Sequence, residues 1–225
     1  MPAKKTAAKP QAPVTFEVDA GDLLRALHNA RLFICPDVYL PVLRCVQVEG
    51  QKDWLTFTAT DRYMLGRTRI AYTGKAFSFS MQEADSALLL RLFNAKSGQL
   101  EVTVHERTMT VQPAKGVVDA PQVVVTMTSY DGEFPKYKQI IDKARDGETD
   151  KTPYTVGETI GFNPRYLAKF ARVKASEGGM TALKLAVHSA SAPIYAKVGE
   201  DFEGIIMPVR LADEPASVRP KESAA

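Results

Sequence analysis

The chain has 225 residues, 45% of them hydrophobic, enough to bury one large core or two small ones, and it carries a formal net charge of +3. No apolar run approaches the roughly 18 residues that cross a bilayer, and the N-terminus lacks the apolar stretch of a signal peptide, so a cytoplasmic protein without membrane contact is expected. The charge only mildly favours a polyanionic partner, and its distribution matters more than its sum.

In chain order, 1–13 sets Lys4, Lys5 and Lys9 among alanines and prolines. It reads as a disordered basic tail, either adding non-specific attraction to phosphate or simply solvated. Three repeats of strand, amphipathic helix and further strands follow. The first opens with a strand at Thr15 to Asp19, where Phe16 and Val18 alternate with polar residues. Its helix, Gly21 to Ile34, sets Leu23, Leu24, Leu27, Ala30 and Ile34 on one face and Asp22, Arg25, His28 and Asn29 on the other. Strands near Pro41 to Val48 and Trp54 to Ile70 come next.

The second repeat has a strand at Phe77 to Met81 and a helix at Glu83 to Ala95 that buries Leu88, Leu89, Leu92 and Phe93. Strands near Leu100 to His105, Thr108 to Gln112 and Gln122 to Ser129 are dominated by β-branched residues. Asp142 to Lys151 reads as a connection, although Lys136 to Arg145 is a candidate for a further helix. The third repeat has a strand at Thr159 to Phe162 and a helix at Pro164 to Lys174, with proline where a first turn accepts it. Strands Ala182 to His188, Ile194 to Val198 and Phe202 to Arg210 close the body. The stretch 212–225 reads as a disordered C-terminal tail.

No pattern argues for catalysis. His28, His105 and His188 stand far apart, no HExxH spacing occurs, and no glycine-rich loop is present to cradle phosphates. Asp61 has no second acid placed to pair with it. Cys35 and Cys45, ten residues apart without a CxxC pair, read as core or surface thiols rather than metal ligands or a redox pair. No metal and no cofactor is expected.

Helix three carries the clearest chemical signal. Arg165, Lys169 and Arg172 recur at i, i+4 and i+7, within an arc of about 60°, while Tyr166, Leu167, Phe170 and Val173 lie elsewhere on the helix. One face is cationic and another apolar, which suits either a phosphate contact or an ordinary solvated surface helix. Lys174 extends the basic run, and Arg25 and Arg91 add one cation each from helices one and two.

Three segments, Thr58-Ala59-Thr60-Asp61-Arg62-Tyr63-Met64-Leu65, Tyr130-Asp131-Gly132-Glu133-Phe134-Pro135-Lys136-Tyr137 and Gly204-Ile205-Ile206-Met207-Pro208-Val209-Arg210-Leu211, occur in that order. In type and order they resemble the signature stretches of the bacterial DNA polymerase III β sliding clamp family. The resemblance implies an α+β DNA-clamp fold, with helices lining a ring and antiparallel sheets outside. By it, 14–141 is a complete clamp-like domain of two half-units, and 142–211 is a half-domain matching only the second half of the clamp's last domain. The family's ring of twelve helices would then need four chains with three helices each; with a fourth helix per chain, a trimer is the alternative.

The resemblance also implies a function: a non-enzymatic processivity factor that encircles double-stranded DNA irrespective of sequence. The DNA-facing residues would be Arg165, Lys169, Arg172, Lys174, Arg25 and Arg91. A pocket for short linear peptides of the DNA polymerase and clamp loader would comprise Thr60, Arg62, Tyr63, Leu65, Pro135, Ile140, Asn163, Tyr166, Met207, Pro208, Val209 and Arg210. Arg62-Tyr63-Met64 departs from the family's Gly-His-Arg, which puts the pocket's shape in question. Tyr166 is equally suited to the core, and Met207 and Pro208 to a plain edge strand. A shortened clamp with tails would suit a bacteriophage. A non-encircling adaptor or decoy for replication proteins is the alternative function, and a sequence-specific regulator is disfavoured by the lack of a helix-turn-helix or zinc pattern.

Overall fold

Alternation of apolar and polar residues builds the first strand, β1 (Val14–Asp19), which buries Val14, Phe16 and Val18 and exposes the residues between them. The computed structural model describes residues 12–118, 120–148, 151, 153–155, 159–176 and 182–211. The two expected tails lie outside the described residues, apart from 12 and 13. Asp19 ends β1 and caps α1 (Ala20–Arg31), its carboxylate accepting from the Asp22 amide. Two tight turns carry the chain on past Arg31, so Ile34 is buried as expected although it lies outside the helix.

The first repeat continues with β2 (Cys45–Gln51), β3 (Trp54–Thr60) and β4 (Met64–Ala71). The single long strand expected over Trp54 to Ile70 is thus a hairpin. Asp61 Oδ1 accepts from the Tyr63 and Met64 amides at 3.0 and 2.8 Å, and this local bonding turns the chain. The second repeat holds β5 (Phe77–Gln82), α2 (Glu83–Leu92), β6 (Gln99–His105), β7 (Thr108–Pro113) and β8 (Val125–Thr128). On α2 the buried face runs through Ser86, Leu89 and the adjoining Phe93, while Leu88, expected inside, is 41% exposed. The Arg31 guanidinium, donating to Ser86 Oγ at 2.6 Å, draws that polar position into the helix contact.

Part of the expected 142–151 connection is helical, because α3 (Lys138–Asp146) runs through it before Gly147 ends the helix at φ 77°. The third repeat holds α4 (Pro164–Phe170), β9 (Leu183–Ala186), β10 (Ile194–Val198) and β11 (Phe202–Ile206). Its expected opening strand is reduced, among the described residues, to one bridge between Gly161 and Val209.

The strands form two antiparallel sheets, ordered β1-β6-β7-β8 and β5-β2-β3-β4-β11-β10-β9. Repeats one and two exchange their first strands: β1 pairs with β6, and β5 with β2. Repeat three joins repeat one along β4 and β11, where Gly66 stands opposite Gly204. Phe33 at the end of α1, Phe170 of α4 and Phe202 of β11 close over this junction, with ring centroids 5.1 to 6.1 Å apart.

The two faces of this junction are distinct. Met64, Phe202 and Ile206 belong to the main core with α1, α2 and α4 residues, whereas Leu65 and Ile205 belong to a small cluster with Tyr137 and Ile141. Helix α3 therefore covers the opposite face of the sheet from α1 and α4.

Candidate functional site

The first and third signature segments and the start of α4 converge at the β4–β11 junction, and the second segment reaches it through Phe134 and Tyr137, which pack with Leu65 and Ile205. The Met207 amide donates to the Tyr63 carbonyl at 2.9 Å, and Tyr63 and Tyr166 stack 6.1 Å apart, tying the turn before β4 to α4. Asn163 caps α4, accepting from the Arg165 amide at 3.0 Å, and the Val209 amide donates to the Gly161 carbonyl. Pro208 is half-buried here, and Val209 and Arg210 are exposed.

Arg62 sits in this turn at φ 79°, a left-handed position that suits glycine better. Its guanidinium lies over the Tyr63 ring at 5.9 Å, so an arginine and two stacked tyrosines form the surface. Thr60 is buried, its hydroxyl donating to the Met64 carbonyl and accepting from the Arg62 amide; it shapes the turn instead of lining a pocket. Leu65, at 5% exposed, lies in the small cluster beneath α3.

Ile140, 48% exposed on α3, and Met207 line one groove of about 730 Å³. Its other walls include Ala144, His188, Ala192 and Pro193, which sequence reasoning did not pick out. The i, i+4 spacing of Ile140 and Ala144 on an amphipathic segment was the available signal for Ala144. Lys143 and Glu148 are also part of its lining. Pro135 does not share this groove; it lines a separate cleft with Gln47, Glu49, Ser78 and Gln139. Tyr137, in the lining of that second cleft, donates to Glu49 at 2.5 Å, and burial together with that carboxylate raises its pKa.

The basic residues divide into free and engaged cations. Arg165, Arg172 and Lys174 are exposed, although Arg172 and Lys174 lie just past the end of α4, and Arg91 is exposed in the last turn of α2. Lys169 instead bonds Asp61 Oδ2 at 3.2 Å, and Arg25, with a side chain only 14% exposed, is paired with Asp22 and Asp201. Their charges are largely neutralised inside the fold, because each bridges repeat one to repeat three.

The polar face expected on α1 is this same seam. Asn29, fully buried, exchanges two hydrogen bonds of 2.8 Å with the backbone of Lys174, and His28 Nε2 donates to the Arg172 carbonyl at 3.3 Å. On the opposite face of the sheet, under α3, buried Glu203 of β11 receives Arg67 and Arg69 of β4 at 2.5 and 2.7 Å, and Tyr195 at 3.2 Å. Cys35 and Cys45 are buried thiols, and burial pushes the Cys45 pKa up to about 11. Among the described residues no cluster of His, Cys, Asp and Glu is grouped to hold a metal, and no helix is long and apolar enough to cross a membrane.

No protein-family profile matches the chain. It is 31% identical over 149 residues to the β sliding clamp of Micrococcus luteus, a match over 64% of this chain that spans less than half, 46%, of that relative. Among solved structures it resembles the DNA polymerase III β subunit of Thermotoga maritima, with a TM-score of 0.69 and 18% identity over 93% of this chain and 68% of that one. It also resembles the DNA polymerase sliding clamp of Pseudomonas aeruginosa, with a TM-score of 0.71 and 16% identity over 94% and 70% of the two chains. A sliding clamp from Bartonella birtlesii bound to griselimycin gives 0.66 and 15% over 93% and 68%. The chain is thus similar in sequence to a β sliding clamp and has the fold of the DNA polymerase III β sliding clamps.

Proposed function

We propose that this protein is a DNA sliding clamp: a ring of identical chains that encircles duplex DNA and tethers a replicative polymerase, without chemistry of its own. The supporting observation is the shared face of α1, α2 and α4, whose cores merge while α3 lies across the sheet from α1 and α4. Three helices per chain favour four chains over three in a twelve-helix ring. Exposed Arg165, Arg172, Lys174 and Arg91 would meet phosphates without reading bases, as sliding requires. In this reading 14–141 is a full clamp-like domain and 142–211 a half-domain.

The groove between Ile140 and Met207 is the peptide site of this reading, linked to the Arg62, Tyr63 and Tyr166 surface through the bond from the Met207 amide to the Tyr63 carbonyl. Apolar walls with a few polar groups suit an extended peptide from a polymerase or clamp loader. Loading the protein on nicked circular duplex and then linearising it separates this function from a non-encircling adaptor. Retention on the circle and loss from the linear form are expected; equal retention on both would overturn encirclement.

A further inference from the structure

Lys169 belongs by spacing to the cationic register of Arg165 and Arg172, yet its charge is engaged inside the fold. Its ammonium donates to Asp61 Oδ2 at 3.2 Å, and the two side chains are 27 and 8% exposed. The same carboxylate shapes the turn before β4. Asp61 Oδ1 accepts from the Tyr63 and Met64 amides at 3.0 and 2.8 Å, and the Asp61 amide donates to the Met64 carbonyl at 3.2 Å. One oxygen of Asp61 thus fixes the turn while the other receives α4.

That turn holds a wall of the groove. The Tyr63 carbonyl accepts from the Met207 amide at 2.9 Å, and Met207 lines the groove of about 730 Å³ with Ile140. Helix α4 touches the turn a second time, nearly one helical turn before Lys169, where Tyr166 stacks on Tyr63 at 6.1 Å. Within the turn Arg62 has a φ of 79°, a backbone conformation that persists where its surroundings hold it.

We propose that Lys169 is a positioning residue for the peptide groove: its ammonium, through Asp61, holds the Tyr63 turn in the geometry that places Met207 on the groove wall. The inference rests on reading that groove as the peptide site. A buried carboxylate is costly without a compensating charge, so a neutral residue at 169 drives Asp61 toward other donors, and the turn moves with it. The second bridge between the same repeats provides the contrast. Arg25 pairs with Asp201, which precedes β11, whereas Met207 follows it, so the two lie about 20 Å apart at about 3.3 Å per residue.

The probe is the tightest binder among short fluorescein-labelled peptides tiling a bacterial replicative polymerase, read by anisotropy. Lys169→Met should weaken it about tenfold, Lys169→Arg should stay within about twofold of the parent, and Arg25→Met should bind as the parent does despite a lower urea midpoint. In an Asp61→Asn background, Lys169→Met should add no further loss, because the path to the groove is already cut. Retention of Lys169→Met on circular DNA should keep the parental salt slope. Parental affinity in Lys169→Met, additive losses in the double variant, an equal loss in Arg25→Met or a shallower salt slope would each overturn the positioning role and leave the peptide site standing. A parent that binds none of the peptides would overturn both. Should Lys169→Met lose its native mass, Lys169→Gln, which keeps a donor without the charge, replaces it; about threefold weakening is expected, and parental affinity would again overturn the role.

Discussion

At position 62 an arginine holds a left-handed φ of 79°, a conformation that costs a non-glycine residue about 1–2 kcal/mol. The side chain recovers part of that through the Tyr63 face, so the turn presents a cation and aromatic rings where the related pattern has a bare glycine. For DNA, only the exposed cations are informative. Reversing Arg165, Arg172 and Lys174 to glutamate should abolish retention on circular DNA and flatten its salt dependence, with native mass unchanged; persistent retention would remove them from the contact. Lys169 is unsuited to that test, because a glutamate there would face the buried Asp61 carboxylate. On the peptide side, Ile140→Ala with Met207→Ala should weaken binding of a polymerase-derived peptide by about tenfold or more while leaving assembly intact, read by fluorescence anisotropy and native mass.

His28 gives a pH signature. Burial first, and then the charges of Lys174, Arg172 and Arg31, lower its pKa below the usual 6.5, partly offset by its bond to the Arg172 carbonyl. The unfolded chain therefore takes up the proton first. Stability falls as pH drops through 6.5 and levels off once the folded-state pKa is passed. His28→Gln should flatten this part of the profile, as measured by urea midpoints on either side of pH 6.5; an unchanged slope would assign it to other groups.

Among the elements, the β4–β11 pair bears the greatest constraint. A Cβ on Gly204 would stand 2.4 Å from the Leu65 carbonyl oxygen, and one on Gly66 would stand 2.3 Å from the Phe33 ring. Backbone cannot yield as a side chain can, so Gly204→Ala should cost about 1–3 kcal/mol and open this pairing first, seen as faster amide exchange in β11 than in β7. Strand and helix positions in repeats one and two were legible because their burial follows periods of two and 3.6 residues. The Asp61 turn and the outward rotation of Leu88 were not, since side-chain-to-backbone bonding decides one and the Arg31–Ser86 contact the other. Of the residues expected to share a pocket, Ile140 and Met207 line one groove while Pro135 lines another cleft, a separation that residue order does not record.

For the whole molecule, native mass spectrometry across a range of concentrations is expected to give four chains. Three chains would mean that another element completes the inner wall, and a persistent monomer would favour an adaptor. The sequence by itself determined the strand-helix-strands pattern, the apolar face of α1 and the three signature segments, because local periodicity and residue order carry that information. Only the tertiary structure decided which polar residues are solvated. The polar face of α1 and the charges of Arg25 and Lys169 on one face of the sheet, and of Arg67 and Glu203 on the other, became contacts between distant repeats, since a chain pattern records what a residue is but not which partner folding brings to it.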